Sequence, residues 1–481
     1  MDHPRKPSQS RGRPGGRAPR SDSSGRYGPS RPSKAPRPPA VDEPRERVLQ
    51  ALARQAGRFP DLDLFALDTS GLDHRDAAFA HALYDAVMRR WLTIEHLIRG
   101  CLNRPEDRVE PRSMAALLSG AAQMLFLDKA PAYAAVNQSV EWVKTRAGPG
   151  PSRLVNAVLR RIAELVGEGE RQFRETYSDR TDELPLADGR ALGLMHSALP
   201  DDPVRRLAAA TSNPIELLRS WAKNSSLREA RRLALHGLCN PPTILNVAHA
   251  TSELPDGLTP HSAPGHQVFS GSREQLVSLL DQRRDIWVQD PASSLAVQMA
   301  SDLKPGVIID VCAGMGTKTR QLAAAFPEAS IVATDVDLPR LATLKKSVAS
   351  DRVTVIGFES LSEWYGKADL VFLDVPCSNT GVLARRVEAR YRFDRARQES
   401  LTAMQRQILA DSMRLLRRQG GSGKVLYSTC SLDPEENRDQ SAWVSRWHGL
   451  RVERESERTP EGLPGDPPER YSDGSYASLL G

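Results

Sequence analysis

Two cysteines set in polar turns are the groups in this 481-residue chain best suited to making and breaking bonds. Cys377 follows the apolar run ADLVFLD, which ends at Asp374, in the segment DVPCSNTG, and Cys430 closes a second such run in KVLYSTCSLDPEEN. A structural thiol usually sits within apolar sequence, whereas these two are flanked by Ser378, Asn379, Thr429 and Ser431. Asp433 and Pro434 read as a helix N-cap and first helical position. Amides at such a helix start would favour the Cys430 thiolate and hence its nucleophilicity. Cys101, Cys239 and Cys312 read as packing residues, and no CxxC spacing points to a metal.

A third group of residues lies upstream. The segment DVCAGMGTKT, Asp310 to Thr319, joins the buried-strand pattern VIIDVC to the helical pattern KTRQLAAAF. Gly314 and Gly316 permit a tight turn and close approach of the backbone to a ligand, and ligands of open α/β sheets bind where strands end. The spacing is not that of a P-loop. Cys312, Ala313, Gly314, Met315, Gly316, Thr317 and Lys318 are therefore the candidate cofactor loop. Asp335, at the end of the next strand pattern, can accept hydrogen bonds from ribose hydroxyls or cap the helix that follows. The loop and this acid suit a nicotinamide dinucleotide and S-adenosylmethionine equally well. If the strands are parallel, loop and thiols share one rim of the sheet. Two thiols and an acid suit methylation of an unactivated pyrimidine carbon. A thiolate adds at carbon 6, an acid near N3 takes the charge that accumulates, and a second group assists release once carbon 5 is methylated. Cys430, Asp374 and Cys377 can fill these roles.

The elements that must position these groups follow from periodicity. Residues 1–43, rich in Pro, Ser, Gly and Arg, read as a disordered basic tail. Residues 44–165 read as an all-α domain, with Phe79, Leu83, Val87 and Trp91 at near-helical spacing and Pro111 and Pro131 near helix starts. Residues 166–204 read as a linker and 205–285 as a helical α+β connecting subdomain. From 286 to 481 strands and helices alternate, the pattern of a mostly parallel sheet covered by helices on both faces. The formal charge of +6 is unevenly placed, because residues 1–40 hold ten Lys or Arg and two Asp, a charge of +8, leaving −2 for the rest. Such a tail can attract RNA phosphates without reading sequence. No apolar run reaches the ~20 residues that cross a bilayer, and the first residues lack the apolar stretch of a secretory signal. A monomer in a reducing cytoplasm, with no metal and no membrane contact, is expected.

DVPCSNTGVLARR, VLYSTCSLDPEEN, DVCAGMGTKT and WVQDPASSLA resemble the signature segments of the Nop/Sun RNA cytosine-C5 methyltransferases. Residues 44–165, with RDAAFAHALYDAVMRR and VNAVLRRI, resemble the NusB-like RNA-binding domain, which is fused to this core in the family's bacterial Sun-type branch acting on 16S ribosomal RNA. The resemblance implies a Rossmann-like domain, S-adenosyl-L-methionine as methyl donor and RNA as partner, 16S ribosomal RNA first. It implies Cys430 as nucleophile, Cys377 as the thiol assisting release, and Asp374 contacting base and cofactor. The chain departs from the family where Gly314, Met315 and Thr317 replace Ala, Pro and Gly of the usual CAAPGGKT. It departs again where Phe358, with Glu359 beside it, replaces the Asp after the third strand, and where Asn246 replaces a common Arg. A transfer RNA substrate, a nicotinamide-dependent oxidoreductase and a non-catalytic NusB-like RNA-binding protein are the competing readings.

Overall fold

A computed structural model describes residues 41–481, apart from 64–65, 105–107, 128–130, 168–170, 349 and 418–422. Residues 1–40 of the expected basic tail thus lie outside it.

Five helices open the described chain: α1 (Glu43–Ala56), α2 (His74–Gly100), α3 (Pro111–Phe126), α4 (Ala132–Ala147) and α5 (Pro149–Val166). Pro111 occupies the first turn of α3, where its missing amide donor costs nothing, and Pro131 is the N-cap of α4. The α3 run from Ser113 to Leu125 is buried throughout, so it forms the axis on which the other helices pack. Leu83, Val87 and Trp91 of α2 are buried in the same core, each stabilising the fold by roughly 1.5–3 kcal/mol. α2 kinks at Arg90, whose buried guanidinium donates to the carbonyls of Pro185 (2.6 Å) and Ala210 (3.4 Å).

The stretch read as a linker contains a small antiparallel sheet. β1 (Phe173–Arg174), β2 (Glu183–Pro185) and β3 (Ala191–Gly193) pair in the order β1-β3-β2, and Leu184, Leu192, Leu194 and Leu199 join the helical core. Strands of two or three residues are too short to show a period. Helices α6 (Pro203–Thr211), α7 (Ile215–Asn224) and α8 (Leu227–His236) follow. Then β4 (Thr243–Asn246), β5 (Leu258–Pro260), β6 (His266–Phe269) and, beyond α9 (Arg273–Gln282), β7 (Trp287–Val288) form an antiparallel sheet ordered β5-β6-β4-β7.

The C-terminal half begins with α10 (Pro291–Met299) and runs β8 (Val307–Asp310), α11 (Thr317–Ala325), β9 (Ser330–Ala333), α12 (Leu338–Ser347), β10 (Val353–Val355), β11 (Leu370–Asp374), α13 (Arg395–Ser412), β12 (Lys424–Thr429), α14 (Arg438–His448), β13 (Val452–Arg458) and β14 (Ser475–Leu480). Its seven strands are ordered β10-β9-β8-β11-β12-β14-β13, parallel except for β14, which is antiparallel to both neighbours. Adjacent strand residues serve opposite faces, as the period of two requires: Ile309 and Val371 pack in one core with Leu409 of α13 and Val444 of α14, Ile308 and Leu370 in another with Leu322 of α11. A sheet buried on both faces accounts for the continuous apolar runs.

Side-chain hydrogen bonds tie the α/β half to the segments that precede it. Tyr391 donates its hydroxyl to the Met88 carbonyl at 2.7 Å, and Arg89 donates to the Ala384 carbonyl at 2.6 Å. Arg390, fully buried, donates to the Gly237 and Leu383 carbonyls at 2.7 and 2.9 Å. No described helix is long and apolar enough to cross a membrane.

Candidate active site

Parallel pairing of β8, β11 and β12 brings the ends of all three strands to one rim. The glycine loop follows β8, Asp374 ends β11 with Cys377 three residues on, and Cys430 directly follows β12. They open on one cavity of about 1270 Å³, lined by Cys312, Ala313, Gly314, Met315, Thr317, Lys318, Asp335, Asp374, Cys377 and Cys430 among others. Gly316, expected on that wall, is not among the lining residues. Its φ of +96° makes it the N-cap of α11, and an added Cβ would lie 2.7 Å from Leu344 Cδ1 on α12, so its role is packing of helix against helix. Gly314, with φ +56°, does face the cavity.

The two thiols meet, with Cys377 Sγ 3.2 Å from Cys430 Sγ. Cys377 is buried and Cys430 half-buried. The contact with Cys430, together with burial, pushes the Cys377 thiol up and keeps it protonated. The expectation of a helix start at Asp433 is corrected: α14 begins only at Arg438, behind a turn opened by Pro434, and no helix N-terminus faces Cys430. Cys430 instead donates to Asn379 Oδ1 at 3.2 Å. Four buried polar residues in seven positions, Ser431, Asp433, Glu436 and Asn437, favour a hydrogen-bonded turn over a helical one.

Asp374 is held on both oxygens, by Lys318 Nζ at 2.5 Å and by the Ser428 hydroxyl at 2.8 Å. Burial alone would lower the Lys318 pKa, but the Asp374 carboxylate outweighs it and the ammonium stays charged. Asp335 accepts from the Gly314 amide at 2.9 Å and the Asp337 amide at 2.8 Å, which leaves each oxygen a second lone pair for a ligand hydroxyl. The cap of α12 is Asp337, not Asp335. Asp310, fully buried, accepts from the Thr319 hydroxyl at 2.7 Å, and burial pushes its carboxyl up to about 7. Cys312 lines the cavity with its thiol pushed well up by burial and then by Asp310, which makes it a protonated wall residue rather than a nucleophile.

The structure adds residues that the motifs alone did not single out. Glu436, fully buried, accepts from the Ser378 amide (2.8 Å) and the Ser431 hydroxyl (3.2 Å), joining the two cysteine loops from below. Arg385 bridges Asp290 (3.0 Å) and Asp473 (2.7 Å) at the cavity edge. Asn379 touches both cysteine loops. The signal for Glu436 and Arg385 in sequence was charge within otherwise polar turns, and for Asn379 its place beside Cys377. Phe358 and Glu359, at the place of the missing third-strand acid, both line the cavity.

This sheet order, the glycine loop after the central strand β8 and the rim cavity define a Rossmann-like methyltransferase domain behind an all-α domain. Comparison with known proteins gives the family. Residues 42–164 match the NusB family and residues 299–458 match the family described as 16S rRNA methyltransferase RsmB/F, so the chain carries a NusB domain and an RsmB/F methyltransferase domain. It is 28% identical over 416 residues to the ribosomal RNA small subunit methyltransferase B of Xanthomonas campestris, covering 82% of this chain and 85% of that one. It is 24% identical over 389 residues to the probable ribosomal RNA small subunit methyltransferase B of Bacillus subtilis, covering 77% and 80%. Among solved structures, that of PH0851 superposes with a TM-score of 0.64 over 91% of this chain and 99% of that one at 19% identity, a likeness of fold.

Proposed function

We propose that this chain is an S-adenosylmethionine-dependent enzyme that methylates carbon 5 of a cytosine in small-subunit ribosomal RNA. The observation that carries the reading is the 3.2 Å contact between the two thiols in the glycine-loop cavity. The wall of that cavity suits an adenosine with a cationic tail. Val336, Met315 and Phe358 offer exposed apolar surface to a base, and Asp335 keeps lone pairs for a ribose. Asp335, held by the Gly314 and Asp337 amides, favours ribose hydroxyls and a cationic tail over a pyrophosphate, which argues against a nicotinamide dinucleotide. Asp310 Oδ1 has no hydrogen-bond partner among the described residues, an acceptor that a ligand would satisfy. When bound, S-adenosylmethionine supplies an electrophilic methyl group.

The chain's own residues do the rest. Cys430 Sγ, as thiolate, adds to carbon 6 of the cytosine and makes carbon 5 nucleophilic. The Lys318–Asp374 pair, a charged donor beside the thiols, faces the charge that accumulates at N3. After methyl transfer the carbon 5 proton leaves to a base, its electron pair re-forms the 5,6 double bond and the Cys430 thiolate departs; Cys377, 3.2 Å from that departing sulfur, assists the release.

Two substitutions test the assignment. Cys430→Ala is expected to abolish methylation, and Cys377→Ala to accumulate a covalent protein–RNA adduct visible as a shifted band on a denaturing gel. An adduct with Cys430→Ala instead would reverse the roles. Bisulfite mapping of 16S ribosomal RNA with and without the enzyme identifies the target, and an unchanged map alongside a changed transfer RNA map would move the substrate.

A further inference from the structure

Asn379 holds a backbone conformation that side chains avoid. Its φ is +60°, and among the described residues only Asp179 and Ser212 share that sign without being glycine. Such residues cost free energy and persist where the surroundings require them. The carboxamide of Asn379 shows what is required here. Nδ2 donates to the Cys377 carbonyl at 2.8 Å, and Oδ1 accepts from Cys430 Sγ at 3.2 Å. A carbonyl oxygen can only accept, so the amide nitrogen must face Cys377, and the oxygen is thereby committed to Cys430. The Cys430 sulfur is then held between Asn379 Oδ1 on one side and Cys377 Sγ, also at 3.2 Å, on the other. The main chain of Cys430 is fixed as well, since its carbonyl accepts from the Gly381 amide at 2.9 Å. Asn379 also lines the cavity into which the base must come.

We propose that Asn379 is a positioning residue that holds the Cys430 thiol in one rotamer before it gives up its proton and couples its place to the Cys377 loop. This rests on the reading of Cys430 as the nucleophile. The strained backbone is what points a side chain at both thiol loops at once. A glycine at this position would relax the strain but leave Cys430 free to rotate.

That trade-off supplies the test. Asn379→Gly keeps the left-handed backbone without the Cβ penalty and removes both side-chain bonds. The full-length variant is expected to lose about tenfold in kcat, the scale of a modest misplacement of a reacting atom. KM for RNA and the dissociation constant for S-adenosylmethionine should stay within twofold, and the thermal midpoint should hold or rise. In a Cys377→Ala background, where the adduct accumulates, the same substitution should slow its appearance about tenfold. Asn379→Asp keeps the acceptor for Cys430 but sets a carboxylate against the Cys377 carbonyl, and kcat should fall at least as far with KM unchanged. A kcat within twofold of wild type overturns the proposal, as does a kcat loss that tracks a lowered thermal midpoint, or an effect confined to KM. Full methylation by Cys430→Ala would instead overturn the assignment on which the proposal rests, and that control reads out separately.

Discussion

Asp433 is a carboxyl group whose ionisation the fold opposes. Burial first, then the neighbouring Glu436 and Glu435, push it up to about 7 from an ordinary value of 3.8. The folded state therefore binds more protons at this site than the unfolded chain between about pH 4 and pH 7. Stability contributed by Asp433 is full below the unfolded value and declines as pH rises through that window, by at most ~1.4 kcal/mol per pH unit. Asp433→Asn lacks this penalty. Its stability relative to wild type should climb from pH 4 to pH 7 and level off above, as read from urea unfolding midpoints at several pH values. A difference that stays flat over that range would mean the carboxylate is already ionised in the folded protein. Cys377 shows the same logic in the candidate site, where a neighbouring thiol and burial keep it protonated.

At the scale of elements, the turn between β8 and α11 depends on two glycines for different reasons. A Cβ on Gly316 would lie 2.7 Å from Leu344 Cδ1, 2.8 Å from Val348 Cγ2 and 2.9 Å from Ser347 Oγ, at a φ of +96°. A Cβ on Gly314 would meet nothing within 4 Å, at a φ of +56°. Gly316→Ala is expected to cost ~2–4 kcal/mol, from overpacking against α12 and backbone strain together. Gly314→Ala should cost only ~1 kcal/mol, the strain alone, while placing a methyl group at the cavity wall and weakening S-adenosylmethionine binding. Chemical denaturation and calorimetric titration of both variants check the ranking, and equal stabilities would show that α12 can move aside. The glycine spacing was legible in sequence. Which glycine faces a ligand and which faces a helix was not, because that depends on where α12 packs.

For the whole molecule, charge and architecture are divided along the chain. Ten Lys or Arg against two Asp in residues 1–40 leave the remaining chain at −2. If those cations pair with RNA phosphates, each contributes up to ~0.7–0.9 to the slope of log affinity against log salt. Deleting residues 1–40 should flatten that slope by several units and leave kcat at saturating RNA unchanged. An unmoved slope would make the tail a spacer, and a lowered kcat would give it a part in the chemical step. The globular portion, by contrast, is joined by buried polar side chains. Arg90, Arg390 and Tyr391 each donate to carbonyls in distant segments, a link that no periodicity announces.

Sequence alone marked the division into an all-α part and a parallel α/β part, the two cysteine-bearing turns, and the glycine loop. Apolar period, turn residues and side-chain type are local properties and survive in one dimension. The two- and three-residue strands of 173–193 and the delayed start of α14 escaped it, the first for want of length and the second because buried polar partners outweighed a good capping signal. Only the tertiary structure decided that the two sulfurs touch, that Cys377 keeps its proton, and that Asn379 and Glu436 join the two loops. Those facts follow from strands β8, β11 and β12 lying side by side, a pairing between residues more than fifty positions apart that no local pattern encodes.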